Sequence, residues 1–259
     1  MNLAFEQLEQ CFESVDGLLS GLDEGAWATP SLCPDWTVAG VVQHLAGVEY
    51  LLTGWRPQEE NEMPPFQLMG AFAEETAGMG GAELLARHRD VIDARRADIA
   101  ELTDETMAFP ITSPIGQVPY GRFMPVRVFD WWIHEQDMRR PLGLPGHESG
   151  AAAEMALDEI QVSLGYIVGK KIGLPDGRAI TFDLTGPVQR QMHVAVEGRA
   201  TPKDSLDNTD VVVTADSTTF ALLACGRIDP QGAIDDGAIS WSGDDEWGET
   251  AARNLRFTM

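Results

Sequence analysis

The sequence predicts a two-domain α+β protein, a four-helix bundle followed by an α+β domain with a mostly antiparallel sheet. Three observations carry this. Apolar residues recur at three-and-four spacing through the first half, the spacing changes to alternation beyond Gly173, and the polar stretch Glu148–Gly150 lies between the two patterns. The domains are accordingly drawn at 1–148 and 149–259. A chain of 259 residues, 44% hydrophobic and 23% charged, can bury such cores without crosslinks.

Leu8, Phe12, Val15, Leu18, Leu19 and Leu22 give one apolar face to a helix from Leu3 to about Leu22, ending near Gly25. Pro30 and Pro34 keep the next segment in a loop, and Thr37 is a good N-cap for a second helix from about Val38 to Leu52. After Pro64 and Pro65 a third helical stretch runs from about Phe66 to Leu102, interrupted at Gly78–Gly81. Phe109–Gly116 reads as a proline-and-glycine loop. Pro125 then occupies the first turn of a fourth helix, which Pro141 and Gly143 stop near Arg140. Another helix covers Ala151–Lys170. Strands are expected at Ile180–Leu184, Met192–Val196 and Val211–Thr214, then a helix at Asp216–Gly226, a short strand at Ile239–Trp241 and a last helix at Asp244–Phe257.

The 41 acidic residues outnumber the 18 basic ones, for a formal charge of -23. Such a surface repels phosphate backbones and anionic lipid, so neither nucleic acid nor a membrane is an expected partner. Cys11, Cys33 and Cys225 are odd in number and form no C-x-x-C pair, which argues against a disulfide framework. The first residues lack a basic start followed by an apolar run, and no stretch is apolar enough to span a bilayer, so a cytoplasmic protein is expected.

Three of the five histidines, His88, His147 and His193, have no acidic or histidine neighbour at ligand-like helical spacing and read as surface or strand residues. His44 differs, because it shares a helix face with Val41, Val48, Leu51 and Leu52 and should point into the bundle. In the fourth helix, Val128–His134 is apolar nearly all round yet carries Asp130 and His134 at i and i+4, on one face. Polar groups so placed need a partner, since burying one unpaired costs about 2 kcal/mol or more. An Asp130–His134 ion pair is one solution. The other is a metal held by His44, Asp130 and His134, two imidazoles and a carboxylate that leave positions open for water or substrate, as in catalytic zinc sites. Asp137, one turn further on, either orients a ligand from behind or pairs with Arg139 or Arg140. Cys33 has no base or cation beside it in sequence and reads as structural.

Two separated blocks carry a resemblance. Cys33-Pro34-Asp35-Trp36-Thr37-Val38 with Val41–Gly47, and Arg127–Arg140, closely resemble signatures of the mycothiol-dependent maleylpyruvate isomerase family. Asp210–Asp216, Phe220–Arg227 and Gly237–Asp244 fit its C-terminal half. The resemblance implies a DinB-like metal-binding bundle joined to a sterol-carrier-like domain, a divalent metal, most simply zinc, at His44, Asp130 and His134, and mycothiol as thiol cofactor or co-substrate. The family's isomerase has Glu where this chain has Asp130, a shorter arm. It also implies an active-site arginine in the second domain, for which Arg227 is the candidate.

The expected function is therefore that of a metal-dependent enzyme in which a metal-bound thiolate attacks a small electrophilic substrate. Reversible addition with bond rotation gives cis–trans isomerisation, and addition without expulsion gives S-transfer. Arg227 would hold a substrate carboxylate. The alternative is a non-enzymatic, metal-stabilised protein that carries a small apolar ligand among Phe220, Leu222, Leu223 and Trp241.

Overall fold

The computed structural model describes residues 3–258, which divide into two compact units between Gly146 and His147. In the first, helix α1 (Leu3–Ser20) buries Leu8, Cys11, Phe12, Val15, Leu18 and Leu19, the face expected from spacing. A single 3₁₀ turn at Ala26–Ala28 inserts Trp27 against Gly81, where any Cβ would fall 2.3 Å from the indole nitrogen. Helix α2 (Val38–Leu52) starts at Thr37, whose hydroxyl accepts from Gly40 N. The third stretch is two helices, α3 (Leu68–Thr76) and α4 (Gly81–Ala100), parted where Gly78 takes φ +77°.

The segment expected as a plain loop holds more structure. A short helix α5 (Asp104–Ala108), capped by Thr103, leads into a two-stranded antiparallel hairpin, β1 (Pro110–Ser113) with β2 (Gly116–Pro119). Helix α6 (Tyr120–Leu142) begins directly after it, so Pro125 lies inside the helix and not in its first turn. The five additional residues bury Tyr120, Phe123 and Met124. At about 1.5–3 kcal/mol for each large apolar side chain, this outweighs the roughly 3 kcal/mol cost of an interior proline. Pro141 does not stop α6 either; Gly143 does, in a left-handed conformation at φ +65°. Having no N–H, Pro141 leaves the carbonyl of Asp137 without its helical donor, and Leu32 N takes that carbonyl at 3.0 Å.

The second unit packs helices on a five-stranded sheet. Helix α7 (Ala151–Tyr166) widens into a π-type turn at Ile167–Ile172 that Gly173 ends at φ +73°. Strands β3 (Ala179–Thr185), β4 (Arg190–Glu197), β5 (Arg199–Lys203), β6 (Val211–Asp216) and β7 (Ile239–Gly243) are ordered β5-β4-β3-β6-β7. The β3–β6 pair is parallel and the other three pairs are antiparallel. Strand β5 is additional to the expected strands; it lies at the sheet edge, where Pro202 is tolerated. Helices α8 (Ser217–Ala224), α9 (Pro230–Asp235) and α10 (Asp245–Arg253) start at Asp216, Asp229 and Asp244, whose carboxylates accept backbone N–H groups. Part of the acidic excess thus serves as helix caps. No helix among the described residues is long and apolar enough to cross a membrane.

Candidate metal centre

Helices α2 and α6 and the loop before α2 bring the polar groups of the first unit together. On α6, Arg127, Asp130, His134 and Asp137 succeed one another at three- and four-residue steps, and so form one line along the helix. His44 enters from α2. Its Nε2 lies 3.3 Å from Asp130 Oδ2, and His134 Nε2 lies 3.6 Å from Asp130 Oδ1. One ligand atom from each of the three lies within 4.8 Å of the others.

Each of these distances, one to each oxygen of Asp130, is that expected between neighbouring ligands of a metal ion. Ligand atoms at about 2.0–2.2 Å from a four-coordinate centre stand about 3.3–3.6 Å from one another. The orientation of His134 fits as well, since Asp137 Oδ2 lies 2.8 Å from its Nδ1. A carboxylate only accepts, so it selects the tautomer with the proton on Nδ1 and leaves the Nε2 lone pair facing His44 and Asp130. Of the two roles open to Asp137, the structure shows the contact with His134, while Arg139 pairs with Glu135 at 2.6 Å.

Burial alone would raise the Asp130 carboxyl. The Arg127 guanidinium above all, and then the His44 contact, outweigh it and hold Asp130 far below the usual carboxylate range, so it is an anion throughout ordinary pH. Arg127 Nη1 donates to Asp130 Oδ2 at 2.7 Å, and its Nε and Nη2 both reach Glu49 Oε1, at 3.0 and 2.8 Å. Glu49, wholly buried on α2, also accepts from Trp131 Nε1 at 2.9 Å and from Arg95 Nε at 3.0 Å. Burial would raise its carboxyl too, but Arg127 and then Arg95 more than offset this and lower it.

The loop supplies a roof. Asp35 adopts φ +66°, and the next residue, Trp36, places its ring 4.9 Å from that of His44 and 5.7 Å from that of His134, inclined by 29° to the latter. The loop is fixed by Val38 N to Thr29 O, Ser31 N to Trp36 O and Leu32 N to Asp137 O. It also brings Cys33 within 4.8 Å of ligand atoms on His134 and Asp137, a proximity that the sequence spacing does not reveal. That second group shares His134 with the first, and the His134 nitrogen nearest Asp137 is already engaged by its carboxylate.

Other residues fall elsewhere. Arg227 belongs to the second unit, just after Gly226 at φ +66°; it is 9% exposed and donates from Nη1 to Cys225 O at 3.1 Å. His88, expected at the surface, is instead buried on α4 beside Trp131, because the i−4 and i+4 positions, Leu84 and Ile92, put it on the apolar face. His193 lies on β4, with Thr181 Oγ1 at 2.9 Å from its Nδ1, and His147 is a loop residue at φ +54°. Sequence reasoning misses Glu49, Arg95 and the roles of Arg127 and Trp36. The signal for the charged ones is a charge inside an apolar run, as in Val48-Glu49-Tyr50-Leu51-Leu52.

Residues 8–139 match the mycothiol maleylpyruvate isomerase N-terminal domain, and residues 154–250 match the C-terminal domain of the same family. No curated protein matches the chain significantly. Among solved structures, a mycothiol-dependent maleylpyruvate isomerase superposes with a TM-score of 0.61 at 17% identity, over 92% of this chain and 91% of that one. A histidine-to-alanine mutant of the mycothiol-dependent maleylpyruvate isomerase superposes with a TM-score of 0.59 at the same identity and coverage. At that identity the superpositions speak for the fold, and the two domain matches, which span most of the sequence, speak for descent. The chain belongs to the mycothiol maleylpyruvate isomerase family.

Proposed function

We propose that this protein is a mycothiol-dependent isomerase acting on a small electrophilic substrate, with a divalent metal, most simply zinc, held by His44, Asp130 and His134. The observation that carries the reading is the convergence of those three ligand atoms within 4.8 Å, backed by Asp137 on His134 Nδ1. A bound divalent ion would supply the acidity that turns a thiol, with its free pKa of about 8.5, into a thiolate at neutral pH. The residues of the chain prepare that position. Asp130 is ionised, Asp137 orients His134, and the Trp36 ring packs against both imidazoles.

Arg227 is proposed as the group that holds a substrate carboxylate, by a two-pronged charge-assisted contact. Replacing it with Ala should raise KM or cut turnover tenfold or more, and unchanged kinetics would remove it from the site. Of the residues given for the carrier alternative, Phe220, Leu222 and Leu223 are buried, with the Phe220 ring 5.5 Å from that of Phe182, and Trp241 is half-buried.

The test is the visible spectrum of cobalt-substituted protein before and after mycothiol is added. A sulfur-to-metal charge-transfer band that appears with the thiol, and is absent in His134→Ala, supports the reading. Cobalt that binds but ignores the thiol overturns the cofactor assignment. Product analysis with unsaturated cis diacids then separates isomerisation, which returns the thiol, from S-transfer, which consumes it.

A further inference from the structure

We propose that Arg127 is a positioning residue for the ligand carboxylate of Asp130, and that Glu49 is the residue that holds Arg127 to this task. The inference rests on reading His44, Asp130 and His134 as metal ligands. Its basis is the use each donor finds. Arg127 is nearly fully buried, and its guanidinium is a rigid planar fork. Nε and Nη2 both grip Glu49 Oε1, which fixes the plane, and the remaining nitrogen, Nη1, is thereby aimed at Asp130 Oδ2 at 2.7 Å.

Glu49 cannot swing away, since Trp131 Nε1 holds the same Oε1 and Arg95 Nε holds Oε2. Arg95 is fixed in turn by Asp98 Oδ2 at 2.6 Å and by the hydroxyl of Tyr120 at 3.2 Å. Arg56 Nη1, 2.9 Å from Asp98 Oδ1, ends the series at the protein's edge. Six charges therefore alternate in sign from Asp130 to Arg56, across α6, α2 and α4. A device that only joined helices would be complete with the Arg127–Glu49 pair. The third contact, to a carboxylate that also faces two imidazoles, adds something else.

That contact has two consequences. It takes up a lone pair of Oδ2 and fixes the rotation of the short Asp130 side chain, so that one oxygen is left free of the arginine. It also draws electron density from the carboxylate, which by itself would weaken the hold on a cation, so the loss expected on removing Arg127 is the loss of orientation. A lysine would not substitute, because a single ammonium cannot span both carboxylates in this geometry.

The test compares wild type with Arg127→Lys, Arg127→Met and Glu49→Gln. Folding is followed by circular dichroism, and cobalt(II) is titrated by its d–d absorption. The expected result is a cobalt affinity lower by about 10–100-fold in both Arg127 variants, the range for lost partners of metal ligands. The d–d envelope of the saturated Arg127 variants should also change in shape and intensity, as a freed carboxylate admits a second oxygen. A smaller loss is expected in Glu49→Gln. A purely structural role would lower the melting temperature and leave the saturated spectrum as in wild type. Should Arg127→Met fail to fold, Arg127→Lys and Glu49→Gln decide the matter. Wild-type affinity and spectrum in the folded variants overturn the proposal for Arg127 while leaving the metal reading intact. If wild type itself takes up no cobalt, or takes it up equally in His134→Ala, both fall together.

Discussion

Asp137 Oδ2 and His134 Nδ1 lie 2.8 Å apart on one face of α6, and the aspartate is wholly buried. A carboxylate at Nδ1 favours the tautomer protonated there, with Nε2 on the side of His44 and Asp130. Replacing Asp137 with Ala should lower zinc affinity by about 10–100-fold with the fold retained. Competition with a chromophoric chelator measures this, and an unchanged affinity would mean that Asp137 has no part in orienting the histidine.

Glu49 is the counter-ion of two buried arginines, so truncating it strands both. Glu49→Ala should cost about 3–5 kcal/mol of unfolding free energy, read by urea titration at neutral pH. The pH sign comes from its lowered carboxyl. Its contribution is fully present above the unfolded value of about 4.3 and is lost as the pH falls below that toward the folded value. Wild type should therefore lose stability in acid more steeply than Glu49→Ala does.

His88 works in the same direction over a different window. Burial draws its imidazole down to about 4, and its Nδ1 has no hydrogen-bond partner among the described residues. The unfolded chain takes up that proton near pH 6.5 and the native one does not, so the stability present above about 6.5 drains away as the pH falls toward 4. Between about pH 7 and pH 5 the loss from this residue is roughly 2 kcal/mol. His88→Leu should flatten that part of the profile, and an equally steep profile in the variant would assign the loss to other groups.

Pro141 governs the loop that carries Trp36. Restoring an N–H in Pro141→Ala offers Asp137 O its ordinary helical donor, in competition with Leu32 N. The amide of Leu32 should then exchange with deuterium at least tenfold faster, while amides in the middle of α4 keep their wild-type rates. Equal protection at Leu32 would show that the other loop hydrogen bonds suffice.

Much of the molecule is legible in its residues. The faces of α1 and α2, the sheet strands rich in Ile and Val, and the trio His44, Asp130 and His134 can be read from periodicity and from the cost of burying polar groups. The features that escape such a reading depend on distance along the chain. Glu49 is 78 residues from Arg127, and nothing local pairs them. Cys33 comes within 4.8 Å of His134 through a loop held by several backbone hydrogen bonds, one of them to the Asp137 carbonyl that Pro141 leaves without a helical donor. Sequence pattern puts the start of α6 too late because it grants Pro125 its preferred position, whereas Tyr120, Phe123 and Met124 have more to gain from burial. A lack of acidic neighbours puts His88 at the surface, while its own helix face puts it inside.

The line Arg127, Asp130, His134 and Asp137 makes α6 a ruler as well as a scaffold. Each residue added to a helix turns all later side chains by about 100° and advances them about 1.5 Å. One residue inserted between Asp130 and His134 would send the histidine to another side of the bundle, with every side chain of the site still present in the composition. Substitutions along α6 can be tolerated one at a time, but changes of its length cannot. Indels should therefore be confined to segments outside that interval, and a library of single-codon deletions and insertions between Asp130 and His134 should yield no cobalt-binding clones.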